Sequence, residues 1–236
     1  MRFRHVAAVC QKQWMDVGTR KSIVFQFLFY PLVILLFSLP SDRGDTVKIA
    51  MVSALSPMFI GSSPMLTVNA VIREDKSSGA LRALTLAALR PAEYMTGVGV
   101  FIVAVSVLSS TLIGWIGGLA VGSLLVFVAV MTLGSILTTL MGCAFSLRSE
   151  NPTGATVFIS VFSVLNGMVP LLETLYPSVY TVTQFWYTQQ IKRVIPLLYE
   201  GVTGEIWYSL AVIGANLLLL LAALCISCRK SRLFET

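Results

Sequence analysis

The sequence predicts an all-α integral membrane protein with six transmembrane helices. An N-terminal interfacial helix precedes them, a short cytoplasmic helix joins the second and third, and membrane-dipping helices on the outer face come before the last. Three observations carry this prediction. Of 236 residues, 56% are hydrophobic and only 12% are charged, about half the charge of a soluble domain. Several apolar windows reach the roughly 18 residues needed to cross about 30 Å of hydrocarbon as a helix. The 17 Lys and Arg are also unevenly placed: with both termini inside, thirteen fall on cytoplasmic segments, and only Arg43, Lys48, Lys192 and Arg193 fall outside. That is the positive-inside pattern, and all six spans are needed to produce it. The net charge of +6 is thereby a matter of membrane orientation and does not point to nucleic acid.

Residues 1–20, MRFRHVAAVCQKQWMDVGTR, place Val6, Val9, Cys10, Trp14 and Val17 roughly on one face, with basic residues on the other. Such a helix lies in the headgroup layer with its apolar side down; a loose basic tail is the alternative. His5 is the only histidine and reads as an interfacial side chain. Its solitude excludes an intramembrane Ser–His pair and a zinc site built from histidines.

The first span, 22–40, follows 21 mixed residues and has no small-residue cleavage site after it, so it reads as a retained helix rather than a signal peptide. The second, 48–72, is polar in places and interrupted by Pro57 and Pro64. The apolar run 94–147 is too long for one helix. Gly114, Gly117, Gly118 and Gly122 divide it into spans 94–116 and 119–147. The same glycines have two G-x-x-x-G spacings and could form a helix seam, but adjacent Gly117 and Gly118 favour a tight outer hairpin. The fifth span is 153–172 and the sixth 206–226.

Inside the spans the polar groups are Gln26, Asn69, Asn166, Asn216 and serines of the second span. They suit helix–helix hydrogen bonds better than a polar pathway. No acidic or basic residue lies deep in a span, where ion-driven transporters usually place one. Cys10, Cys143, Cys225 and Cys228 fall on or near the cytoplasmic side, against a disulfide framework. The Cys225-x-x-Cys228 pair lacks a second pair to make a metal site. No P-loop occurs, and no catalytic, cofactor or metal residue is predicted.

The outer segment 173–205 carries Tyr176, Tyr180, Phe185, Trp186, Tyr187 and Tyr199. Aromatics this dense favour the membrane interface, so one or two short helices are expected to dip into the outer leaflet, buried against protein. Glu173 and Glu205 flank the segment and are expected to orient it.

The loop 73–91 is the largest cytoplasmic segment between spans. Arg73, Glu74, Asp75 and Lys76 are followed by SSGALRALTLAALRP. Ser77 or Ser78 could cap a helix, with Asp75 in front and Arg90 behind to suit its dipole. Gly79 and Ala80 leave one side slim, Leu81 and Leu84 offer an apolar face, and Pro91 stops this helix and opens the next. A helix this short is marginal alone and needs a surface to pack on.

Gly79-Ala80-Leu81, Leu84 and Pro91 fit the form E-x-x-x-G-[TA]-L-x-x-L-…-P, with Glu74 one residue further from the glycine than that form has it. With the six-span layout, the N-terminal helix and the long outer segment, the whole chain resembles the type-2 ABC transporter permeases, the transmembrane subunits of ABC exporters. It departs from them at Ala80, often Thr in the family, and at Val98 after Gly97, where Gly-Lys is frequent. The resemblance implies that 73–91 is a coupling helix received by a separate ATP-binding subunit, with Arg73, Glu74, Gly79, Ala80, Leu81, Leu84, Arg90 and Pro91 at the contact. It implies two such ATPases holding ATP and Mg, none of it bound by this chain. It also implies a second permease copy or paralogue, membrane lipids around the pair, and residence in a bacterial plasma membrane. The expected cargo is amphipathic or hydrophobic: a peptide, a lipid-like molecule or an antibiotic. A membrane scaffold or channel-like protein uncoupled from ATP is the rival reading. A membrane-embedded enzyme is a third, disfavoured by the single histidine and the absence of buried acids.

Overall fold

The computed structural model describes residues 3–18, 20–38, 44–80, 90–148, 152–201 and 204–230. Helices α1 (Phe3–Val17), α2 (Lys21–Ser38), α3 (Gly44–Ser77), α4 (Pro91–Ile116), α5 (Val121–Arg148) and α6 (Pro152–Leu175) come first. A 3-10 turn (Pro177–Val179), α7 (Tyr180–Thr183), α8 (Tyr187–Glu200) and α9 (Ile206–Lys230) complete the chain. No strand occurs among the described residues. Helices α2 to α6 are each long and apolar enough to cross a membrane, and the apolar part described for α9 is the shorter Ile206–Ala222.

Helix α3 is the axis of the bundle, packing against α2, α4, α5, α6 and α8. It is suited to this because it carries small residues where neighbours come close. A Cβ on Gly61 would stand 2.6 Å from the Gly167 Cα of α6, so that crossing admits no side chain. Ile60, Met65, Val68, Val71 and Ile72 are fully buried around the same axis. In contrast, α2 turns Phe25, Leu32 and Leu36 outward, and α6 turns Val157, Val161 and Leu165 outward. These faces suit lipid or another membrane helix, not water.

Helix α3 runs through Pro57 and Pro64 without interruption and extends beyond the apolar window 48–72 at both ends. The run Arg73–Lys76 is therefore helical, the last turn of α3, and not part of a loop. Between α4 and α5 the glycines make a turn, as the hairpin reading expected. The Gly117 N–H bonds to the Ile113 carbonyl (2.9 Å), and Leu119 N–H bonds to the Gly114 carbonyl (3.1 Å). Gly118 has φ +76°, which a residue with a Cβ rarely adopts.

Residues 3–17 are helical, so the loose-tail alternative fails. The apolar face does not lie on open headgroups, however: α1 packs on α4 and, to a lesser extent, on α2. Val9 is buried and fills the space over Gly97, where a Cβ would come within 2.7 Å of it. Trp14 meets Phe101 edge-on at 5.4 Å. Gln13 spoils the apolar stripe yet is only 1% exposed, because its amide serves the buried carboxylate of Asp75.

Candidate functional site: polar clusters at two levels of the bundle

At the α1 end the chain buries a carboxylate. Asp75, in the last turn of α3, is 1% exposed. Its Oδ1 accepts from Lys12 Nζ at 2.7 Å. Its Oδ2 accepts from Gln13 Nε2 at 3.2 Å and from the Tyr94 hydroxyl at 2.7 Å. Arg20 stands 3.7 Å from Oδ1, donates to Gln13 Oε1 at 2.9 Å, and pairs with Glu74 at 3.0 Å. Arg20 also reaches Asp16 at 3.4 Å. A charge this buried persists only when paired and hydrogen-bonded. Here the donors come from α1, the α1–α2 link and α4. Beside it, Glu93 in the first turn of α4 is also buried. It lies 3.0 Å from His5 Nδ1 and accepts the Arg90 backbone N–H at 3.3 Å.

The two carboxylates join the helices on either side of the predicted coupling loop. Arg73 and Glu74 are exposed at the end of α3. Ser78 N–H bonds to the Glu74 carbonyl at 2.9 Å, and Gly79 N–H to the Lys76 carbonyl at 3.3 Å. The Ser77 and Ser78 hydroxyls donate back to the carbonyls of Glu74 (3.0 Å) and Asp75 (3.5 Å). These serines thus close α3, and the residues they are expected to cap lie outside the described ones. Gly79 has φ +71°, and a Cβ added there would meet nothing within 4 Å. Among the described residues its glycine is therefore required by the turn and not by a close approach. Ala80 is half-buried. Leu81 and Leu84 lie outside the described residues. Arg90 is exposed and caps α4, with Pro91 as its first residue. Lys76 donates to the Ser146 carbonyl at 3.1 Å, tying the end of α3 to α5 as well.

The second cluster lies deep between spans and contains no charge. The Trp186 indole N–H donates to Asn166 Oδ1 at 2.7 Å. The Asn166 amide donates to the Gly61 carbonyl at 2.9 Å and to the Tyr187 hydroxyl. Tyr187 and Thr138 hydroxyls are 2.7 Å apart, and Thr138 donates to the Gly134 carbonyl at 3.0 Å. Since Thr138 spends its proton there, Tyr187 must donate to Thr138, and the chain has one direction from indole to backbone. Pro170 lacks an N–H, which leaves the Asn166 carbonyl without its helical partner; the Thr188 hydroxyl takes that place at 3.1 Å.

Helix α8 begins at this cluster and ends at the hairpin. Ser123 donates to the Leu198 carbonyl at 3.0 Å, and Tyr199 donates to the Gly117 carbonyl at 2.7 Å. Thr138 is seventeen residues beyond the start of α5, roughly 25 Å along a helix, so α8 runs beside the spans for much of their length. The segment 173–205 is thus helical and packed, not an extended loop. Its flanking acids each hold one basic residue of α8. Glu173 takes Lys192 at 2.9 Å and is also bonded by Gln189, and Glu205 takes Arg193 at 3.1 Å. Arg193 further donates to the Tyr180 hydroxyl at 2.9 Å and lies over the Tyr208 ring.

The remaining in-span polar residues also bond between elements. Gln26 accepts from Thr67, Asn69 donates to Thr156, and Asn216 donates to the Phe185 carbonyl. Cys10 and Cys143 are free thiols, while the side chains of Cys225 and Cys228 lie outside the described part of the structure. No group of residues suited to a metal occurs among the described residues. Sequence reading missed the role of Asp75 and its partners Lys12, Gln13, Arg20 and Tyr94. The one available signal was Gln13, a polar residue at a position that the α1 stripe would otherwise make apolar.

A bundle of long apolar helices, with charge confined to its ends and neutral polar contacts within, defines a multi-pass membrane protein. Residues 31–226 match the family described as ABC-2 family transporter protein, and the chain belongs to that family: it is the membrane permease component of an ABC transporter. No curated protein matches it.

Proposed function

We propose that the chain is the permease subunit of an ATP-driven exporter, with its α1 end cytoplasmic and α9 as the sixth span. Two permeases, identical or paralogous, bring their α2 and α6 faces together. Two ATP-binding subunits, holding ATP and Mg, dock on the loop between α3 and α4. The observation that best supports this reading is the Asp75 cluster. A push on that loop reaches two helices already fastened to each other and to α1, so motion of the loop becomes motion of spans. The polar groups deep in the bundle are neutral, which suits a hydrophobic or amphipathic cargo better than an ion.

Two experiments test the proposal. A thiol probe applied from outside is expected to label a cysteine at Thr181 and not one at Ser78; the reverse would invert the orientation. Leu81→Asp and Leu84→Asp are expected to reduce recovery of the ATP-binding subunit by at least about tenfold, since two buried leucines are worth roughly 3–6 kcal/mol before ordering losses. The bundle itself should keep its thermal stability. Recovery and export at wild-type levels in both variants would reject the coupling role and favour a scaffold or channel.

A further inference from the structure

Helices α4 and α5 are in tight contact near their hairpin and part toward the α1 end. At the hairpin, a Cβ on Gly114 would stand 2.5 Å from Leu124 Cδ1. Toward the other end, a groove of about 630 Å³ opens between them, lined from Ala92 to Ala104 on α4 and from Ile136 to Cys143 on α5. Ala92, Thr96, Gly99 and Val103 form its α4 wall at helical spacing.

Apart from Gly122 at the hairpin end of α5, the other glycines of these two helices admit a neighbour. The space over Gly97 is filled by Val9, that over Gly134 by Ile60 and Ile191, and that over Gly142 by Met65 and Val68. Gly99 is different, because a Cβ there would meet only the Thr139 methyl at 3.7 Å. The sequence clears a space that no described part of the chain fills. Thr139 also lines the groove and turns its methyl toward Gly99.

We propose that this groove is a binding site for one acyl chain of an anionic phospholipid from the leaflet at the α1 end. Its wall is apolar apart from two threonines, Thr139 and Thr96, the latter with its hydroxyl spent on the Ala92 carbonyl, which excludes an extended peptide with its many backbone polar groups. A helix about 10 Å across and 18 Å long fills on the order of 1,400 Å³, too much for this space. A single hydrocarbon chain fits, and the groove follows α4 for about 18 Å, twelve residues, close to the depth of one leaflet. The charge at its mouth selects the headgroup. Arg90 is exposed two residues before the first wall residue, has no ion pair among the described residues, and sits at the N-terminus of a 26-residue helix, whose dipole also favours an anion. Glu93, the nearest acid in sequence, is engaged by His5.

The test uses the protein in nanodiscs with phosphatidylglycerol carrying a photoactivatable diazirine midway along one chain, and phosphatidylcholine carrying the same chain. Phosphatidylglycerol is expected to label peptides 92–104 and 136–143 above the peptide that holds Leu108 and Leu112, lipid-facing residues of α4. Gly99→Leu and Ala104→Leu, which fill the groove from inside, are each expected to cut that labelling at least about tenfold, the loss of several buried methylenes. Unchanged unfolding temperatures show that both variants are folded. Arg90→Ala is expected to lower the preference for phosphatidylglycerol about fivefold, as for one basic residue at an anionic surface. Even labelling along α4, absence of groove labelling, or labelling unaffected by both filling variants would overturn the proposal. So would equal labelling by the two lipids. None of these readouts depends on transport.

Discussion

Asp75 and Asn166 do similar work with different chemistry. Each is almost fully buried, and each gathers partners from several helices. Asp75 is charged and lies one turn from the end of α3, where Lys12 and Arg20 reach it while staying in contact with solvent. Asn166 lies within a span, where ionised groups are costly. Its partners are an indole, a phenol and a backbone carbonyl. The difference shows where this chain can place electrostatics. At the end of the bundle an ionic cluster is strong and can be reached by water and by a docking partner. In the interior, a one-way chain of neutral hydrogen bonds fixes α8 against α3, α5 and α6 without a charge to solvate.

Exchanging or deleting the two chemistries tests that contrast. The largest effect is expected from Asp75→Leu, which leaves Arg20 and Lys12 without the carboxylate that gathers them. It also leaves the buried Gln13 amide and Tyr94 hydroxyl without their acceptor, at about 1–3 kcal/mol for each unsatisfied donor, so thermal unfolding in nanodiscs should drop by many degrees, with α1 becoming sensitive to protease first. Asn166→Asp puts a carboxyl of the same shape into the interior. About 2.5–3.5 kcal/mol is expected for the ionised form, read as the same unfolding shift. Stability equal to the wild type would show that the interior tolerates charge.

Smaller changes refine the comparison. Tyr187→Phe interrupts the neutral chain between Asn166 and Thr138 and should cost about 1 kcal/mol, with no dependence on salt. Lys12→Met removes a partly exposed partner of Asp75 and should cost about 0.5–1 kcal/mol. That difference should shrink in high salt, because screening acts on the solvent-reached pair and not on the buried chain. Equal salt dependence for the two variants would erase the distinction between the clusters.

Most of the span pattern is legible in the sequence because length and apolarity are local properties. The third span is expected at 94–116 and α4 covers Pro91–Ile116, and the hairpin at Gly117 and Gly118 is punctuated in the sequence itself. The second span is longer than its apolar window because hydropathy stops at charge. Arg73 to Lys76 remain helical since α1 and the end of α5 supply their partners. The aromatic density of 173–205 points to a packed segment. The buried part of α8, however, includes Thr188, Gln189 and Gln190 after Tyr187, and no hydrophobic pattern reveals that these polar residues are buried. The Asp75 cluster could not be read at all, because its donors lie sixty or more residues back, in α1, or nineteen forward, in Tyr94. Only the folded bundle brings them together.

Asp75 makes α1 and the ends of α3 and α4 one rigid body around the proposed docking loop. Spin labels at Met15 and Ser77, both exposed, probe that rigidity by pulsed electron resonance. One narrow distance is expected in the wild type, unchanged when nucleotide is added to the complex with the ATP-binding subunit, and a broad distribution in Asp75→Ala. A narrow distance that survives Asp75→Ala, or a wild-type distance that shifts with nucleotide, would contradict the rigid body.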